Sequence, residues 1–262
     1  MAADLAALCA DLLAESAVLE SICEPLDAAG WATPTPAPGW AVVDQILHLA
    51  FFDERARTAA VDPEGFRSEL AAAVAEGGSV VDRVAAAQRG RTGPDALAWL
   101  RAERAALVDA ARAMEPGTRV PWYGPDMTIA SSVTARIMET WAHGVDVHDA
   151  LGVPIVESAR LSHVAFIGVR AFANSFRAHG LAVPEVSVRV VLTAADGTTR
   201  EYGPADAAER IEGPLLDFCL VCVQRRHRDD TSLVATGPVA DQWLSIAQAF
   251  AGPAGRGRSP GS

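Results

Sequence analysis

The sequence contains no lysine: all 22 basic residues are arginine, and the only asparagine is Asn174. That absence excludes chemistries that turn on an ε-amine. Schiff-base aldolases, pyridoxal-phosphate enzymes and Walker-type phosphate loops each need a lysine at the reacting or phosphate-holding position. Basic clusters are equally scarce. Thirty-three acidic residues against 22 basic ones leave a net charge of −11, which argues against nucleic acid and membrane surfaces as partners. No uninterrupted apolar run reaches the roughly 18 residues of a membrane span. The start, Met1-Ala2-Ala3-Asp4, lacks the positive charge of a secretory leader. Four cysteines (Cys9, Cys23, Cys219 and Cys222) lie in apolar, helix-like surroundings, which reads as reduced thiols in a cytoplasmic protein.

What is present is apolar. Half of the 262 residues are hydrophobic, enough for a sizeable core, and at roughly 150 residues per domain the length suits one or two domains. Apolar residues at helical spacing predict helices over 3–26 and 42–58, a third from Pro63 to about Gln88, a fourth from Gly93-Pro94 to about Met114, and a fifth over 128–151. The three prolines between Trp31 and Trp40 exclude helix there, and residues 115–126 read as a loop. Beyond Pro154 the pattern changes. One helix is expected over 157–180, a hairpin over 186–202 turning at Asp196-Gly197, and a short strand at 209–212. A helix over 214–226, a strand over 231–236 and a helix over 240–250 follow. The fold class is therefore α+β: an N-terminal helical bundle over 1–153, a small α+β domain over 154–251, and a disordered tail over 252–262.

The segment that could carry chemistry is Met138–His148. On a helix, Glu139 and His143 stand four apart on one face, Asp146 lies a turn beyond, and Arg136 extends the stripe backwards. An exposed Glu–His pair is a common helix feature. The apolar neighbours Ile137, Met138, Trp141 and Val145 instead suggest burial, and buried ionic groups need a partner. The helix over 42–58 carries His48 among apolar residues. Such a histidine is commonly a satisfied core residue, yet an antiparallel bundle could bring it to Glu139 and His143. Two histidines and one carboxylate with open positions form the ligand set of a catalytic Zn²⁺ site, with Asp44 placed to orient the His48 ring.

Pro38-Gly39-Trp40, the Asp44-to-Leu49 segment around His48, and the Glu139/His143/Asp146 helix together resemble the mycothiol-dependent maleylpyruvate isomerase family, in the DinB-like superfamily of bundle metalloproteins. Trp122-Tyr123-Gly124-Pro125 is similar to that family's loop before the ligand helix. Asp217-Phe218-Cys219, Gln224-Arg225-Arg226-His227 and Thr236-Gly237-Pro238 resemble the C-terminal half of an actinobacterial branch described only as metal-binding. The resemblance implies a DinB-like bundle holding a divalent metal, most often Zn²⁺, on His48, Glu139 and His143. It also implies mycothiol as co-substrate, bound as thiolate at the open position and adding to a small electrophile. The outcome would be isomerisation, or S-transfer if the thiol is retained. Ala41, Val43 and Cys222 depart from the branch. Ala41 stands where a serine or threonine would cap, so a weakly capped helix start is expected.

The catalytic candidates besides the ligands are Asp146, as a base, and Arg225, since the family uses an arginine of its C-terminal domain. Arg225 would bind a carboxylate of substrate or thiol. Trp122, Tyr123 and Arg136 are candidate pocket-wall residues. Cys219 and Cys222 read as core, His148 as a surface or interface histidine, and Asp53 and Glu54 as a solvated face. Competing readings are a non-catalytic metal- and ligand-binding protein, and a metal-dependent hydrolase or lyase using metal-bound water with Asp146 or Asp44 as base. Oligomeric state is open, a homodimer included.

Overall fold

The computed structural model describes residues 4–76 and 90–261. Contacts divide the chain into two units, Met1–Ile155 and Val156–Ser262, and the fold is α+β.

In the first unit, side chains next to each helix set where it begins. Helix α1 (Leu5–Cys23) starts where the Asp4 carboxylate accepts from the Ala7 N–H at 3.1 Å, and Asp27 caps the short α2 (Ala28–Trp31) in the same way. Helix α3 (Val42–Val61) has Ala41 at its cap position, which offers no acceptor. The Asp44 carboxylate instead accepts the Ala41 N–H at 2.7 Å, the reciprocal half of a capping box, so the helix start is held from within its first turn. Helix α4 (Pro63–Glu76) opens on proline, and its expected continuation to about Gln88 lies outside the described residues. Thr92 caps α5 (Gly93–Arg112) and Thr128 caps α6 (Ile129–Leu151), which stops at Gly152 in the left-handed region, φ 64°. The stretch before α6 is more than a loop: β1 (Arg119–Val120) pairs antiparallel with β2 (Met127–Thr128), presenting Trp122 and Tyr123 between them.

Helix α3 packs on α5 and α6, and α1 packs on α6 and α5. The core is not continuous along these helices. One apolar cluster holds Leu12, Ala56, Phe66, Leu107 and Ile137, the other Leu19, Ile46, Leu49, Leu100 and Val147. On α1, α3, α5 and α6 the gap between the clusters is filled by buried polar groups: Glu15 and Ser16 on α1, Asp53 on α3, Arg104 on α5, Arg136 and Thr140 on α6. A polar layer therefore crosses the bundle at mid-height.

In the second unit, α7 (Leu161–Arg170) and α8 (Phe172–Ala178) replace the single helix expected over 157–180. The break falls at Ala171, and past it Phe172 packs at 5.0 Å on both Phe176 and Trp243; tertiary packing overrides local helical pattern. Strands β3 (Val188–Thr193), β4 (Thr199–Tyr202), β5 (Glu209–Pro214) and β6 (Val234–Thr236) form one sheet in the order β4-β3-β5-β6. β3 and β4 make the expected hairpin, β5 runs parallel to β3, and β6 is antiparallel to β5. To reach β5 the chain passes the start of β3 at Gly203. There φ is 76°, and a Cβ would lie 2.2 Å from the Val188 carbonyl oxygen, so the crossing admits only glycine.

Val190, Leu192 and Ile211 bury one face of the sheet, near α9 (Leu215–Cys222) and α10 (Pro238–Ile246). Cys219 and Cys222 are buried free thiols, as the sequence predicts for core residues; the Cys222 sulfur sits where a side chain at Gly168 would have to go. Beyond α10, Gln248 bonds the carbonyls of Phe250 and Pro253 and the Gly255 N–H. No helix among the described residues is long and apolar enough to cross a membrane.

Candidate metal centre

Two helices bring the site together. His48 projects from α3, and Glu139 and His143 stand one turn apart on α6, at the edge of the polar layer. One ligand atom from each of the three lies within 4.8 Å of the others. His143 Nε2 is 3.4 Å from a Glu139 carboxylate oxygen, and the two imidazole centroids are 4.3 Å apart.

Aromatic rings and buried charge both surround this trio. The rings are packed against the histidines. Trp40 lies 5.2 Å from His48 and stacks on His143 at 6.0 Å, and Phe52 packs 4.6 Å from His48. Phe52 in turn meets Trp122 at 6.2 Å and Tyr123 at 5.7 Å, and both rest on Phe66. Trp122 and Tyr123 are thus half-buried members of an aromatic strip that begins at the histidines. Burial pushes the Tyr123 phenol up to about 12 against the opposing pull of Arg55, so it keeps its proton at neutral pH.

Buried charge lies near the trio as well, through Arg136, one turn before Glu139. Asp53 is fully buried, not part of a solvated face: Arg104 Nε donates to one carboxylate oxygen at 2.5 Å and Arg136 Nε to the other at 2.8 Å. The guanidiniums continue to Thr140 Oγ1 at 2.9 Å and to the Leu49 carbonyl at 3.4 Å. Arg136 is therefore committed to Asp53 in this structure. Its charge also reaches Glu139. Burial raises the Glu139 carboxyl, but the hydrogen bond from His143 and the charges of His143, Arg136 and His48 outweigh it and hold the group at about 2.

Several predicted residues have other partners or positions within their own units. Asp146, one turn past His143, is buried and outside the trio. His148 is not a surface residue: it is 8% exposed, and its Nδ1 lies 3.0 Å from the Val153 carbonyl. Asp44 is bonded to the Ala41 N–H, and the group found against a histidine ring is its neighbour Gln45, whose Oε1 is 2.5 Å from His143 Nδ1. Arg225, in the second unit, donates to the Val223 carbonyl at 2.8 Å and follows Gln224, whose φ of 59° ends α9 in a Schellman-type turn.

The donor set suits a divalent metal. Two ligands at about 2.0–2.1 Å in a tetrahedral shell lie roughly 3.3 Å apart, against 3.4 Å for His143 Nε2 and Glu139 here. Two imidazoles and one carboxylate leave a position open, as catalytic zinc sites do. A cation between the carboxylate and the two rings would also supply the partner that partly buried charge demands.

The family model for the mycothiol maleylpyruvate isomerase N-terminal domain matches residues 12–148, which span all three site residues. The chain belongs to this family. Two relatives, uncharacterized proteins from the CDC 1551 / Oshkosh and H37Rv strains of Mycobacterium tuberculosis, are each 43% identical over 256 residues, covering 98% of this chain and 100% of theirs. Among solved structures, the fold is similar to two crystal structures of the mycothiol-dependent maleylpyruvate isomerase. One, a histidine-to-alanine mutant, aligns with TM-score 0.58 over 90% of this chain and 97% of its own; the other has TM-score 0.54 over 89% and 93%. Identity to both is 14%, so that likeness carries the fold alone.

Proposed function

We propose that this family member is a metal-dependent, mycothiol-using transferase or isomerase acting on a small electrophile. The observation that carries the reading is the convergence of His48, Glu139 and His143 to within 4.8 Å in a chain of this family. The metal, Zn²⁺ on this donor set, would supply the positive charge that keeps a thiol ionised at neutral pH. The chain's own residues do the rest. Glu139, held as a carboxylate, and the two imidazoles form the cradle. Trp40 and Phe52 cover the His48 ring, limiting water on that side. Trp122 and Tyr123 line the aromatic strip, and Tyr123, which keeps its proton, would serve as a hydrogen-bond donor to an electrophile's oxygen. Addition of a thiolate to an activated double bond forms an S–C bond and moves the π electrons onto the adjoining carbonyl. Rotation and reversal isomerise the substrate and return the thiol, whereas protonation of the adduct completes an S-transfer. Asp146 as proton acceptor and Arg225 as carboxylate binder complete the proposed set.

Elemental analysis of the purified protein is expected to find about one divalent metal per chain, lost in His48→Ala and in His143→Ala. Metal content unchanged in both variants would remove the site. Calorimetry with mycothiol should give metal-dependent heat. No heat at millimolar thiol would reject the thiol-using reading in favour of a metal-water hydrolase or a non-catalytic binder.

A further inference from the structure

Gln45 was not among the residues that sequence spacing singles out, yet it is completely buried, three residues before His48 on α3, and touches the other histidine. Its Nε2 donates to Thr35 Oγ1 at 2.9 Å. Thr35 Oγ1 donates to the Trp40 carbonyl at 2.9 Å, and the Thr35 N–H bonds the same carbonyl at 2.7 Å. The chain of donors has one direction. A carbonyl only accepts, so the threonine hydroxyl spends its proton on Trp40 and must accept from Gln45. The amide nitrogen of Gln45 is thereby turned toward Thr35, leaving its oxygen against His143 Nδ1. An oxygen 2.5 Å from a ring nitrogen requires a proton on that nitrogen.

We propose that Gln45 is a positioning residue: pinned through Thr35 to the Trp40 carbonyl, it holds a proton on His143 Nδ1 and so presents Nε2 to Glu139 and His48. The proline-rich turn acquires a purpose in this account. Residues 33–42 fold back on themselves through the Thr35–Trp40 pair and the Val42 N–H to the Thr33 carbonyl. That turn places both the Trp40 ring on the histidines and the Trp40 carbonyl at the head of the relay. The role of Nε2 as a metal donor rests on the function proposed above; the state of Nδ1 does not. Groups behind a ligating imidazole contribute about 10–100-fold to metal affinity.

The test uses the full-length protein labelled with ¹⁵N, metal-free and zinc-loaded, as wild type, Gln45→Leu and Thr35→Val. Long-range ¹H–¹⁵N correlations should show His143 protonated at Nδ1 in both wild-type states. That signature should be lost in Gln45→Leu, with zinc affinity, read by chelator competition, about 10–100-fold weaker. Thr35→Val leaves Gln45 in place but free to turn, and should lose less affinity; it also covers the case in which Gln45→Leu does not fold. His143 bare at Nδ1 in wild type, or zinc affinity unchanged in Gln45→Leu, would overturn the proposal while leaving the metal site standing. Conversely, wild type that binds no zinc yet shows the Nδ1 proton, lost on Gln45→Leu, would support the relay and overturn the metal reading instead.

Discussion

Replacing Asp53 by alanine removes the carboxylate bonded to two guanidinium groups that are themselves 1% and 3% exposed. Arg104 would keep the Leu12 carbonyl at 3.5 Å and Thr140 at 2.9 Å, and Arg136 the Leu49 carbonyl at 3.4 Å, all neutral acceptors. Breaking a buried pair by removing one partner costs about 3–5 kcal/mol, because an uncompensated charge stays behind. In a domain of this size each kcal/mol moves Tm by roughly 2–4 °C, so a fall of about 6–20 °C is expected, read by thermal and urea unfolding. Arg101→Ala is the control. Arg101 pairs with Glu20 and Glu24 but is 43% exposed, and such pairs contribute about 0–1 kcal/mol. The Asp53→Ala, Arg136→Met double variant should be less destabilised than the sum of the single changes, since one fewer stranded cation remains. An Asp53→Ala cost no greater than that of Arg101→Ala, the result a solvated Asp53 would give, would refute the buried ion triad.

Gly203→Ala should lose about 1–2 kcal/mol from its positive φ alone, and more from the clash with the Val188 carbonyl, measured as a lower urea midpoint. Ala at that position with unchanged stability would mean the β4–β5 crossing runs elsewhere. The four cysteines should resist thiol reagents at pH 8 in the native protein and all react in denaturant, because burial raises each thiol, Cys23 to about 12. The linkage follows in sign: the unfolded chain gives up these protons first, near 9.0, so stability present below about pH 9 is lost as pH rises beyond it. Fast labelling of native Cys219 or Cys222, or alkaline stability that does not fall, would contradict their burial.

The long helices were legible because their apolar period and their caps agree: Thr92 with Pro94, Thr128, and Gly152 with Pro154. The proximity of His48, Glu139 and His143 was legible for a similar reason, since one pair shares a helix face and the third residue lies on a helix that an antiparallel bundle places opposite. Asp53 was misread through its charge. Its position continues the stripe Ile46–Leu49–Asp53–Ala56, and that spacing, not the residue type, carried the signal of burial. Gln45 could not have been found this way, because its function depends on a threonine ten residues back and a histidine 98 residues on. The parallel pairing of β3 with β5 was equally hidden, since strand partners are set by tertiary crossing and not by alternation.

The polar layer also bears on why His48, Glu139 and His143 meet where they do. A bundle stabilised by packing alone would fill its mid-height with leucines, as it does above and below. Here α3, α5 and α6 instead carry Asp53, Arg104, Arg136 and Thr140 there, and substituting such an ionic layer with apolar residues is often neutral or stabilising in other proteins. Stability alone therefore gives no reason for the layer. Its neighbours do. Arg136 lies one turn before Glu139, and Thr140 binds both Arg104 and the Arg136 carbonyl. The layer thus fixes the register of α6 against α3 and α5 at the level where α6 must meet His48. Shifting α6 by a single residue would rotate Glu139 and His143 by about 100° away from α3; the ion triad opposes that slip with directional bonds that interchangeable apolar side chains could not provide.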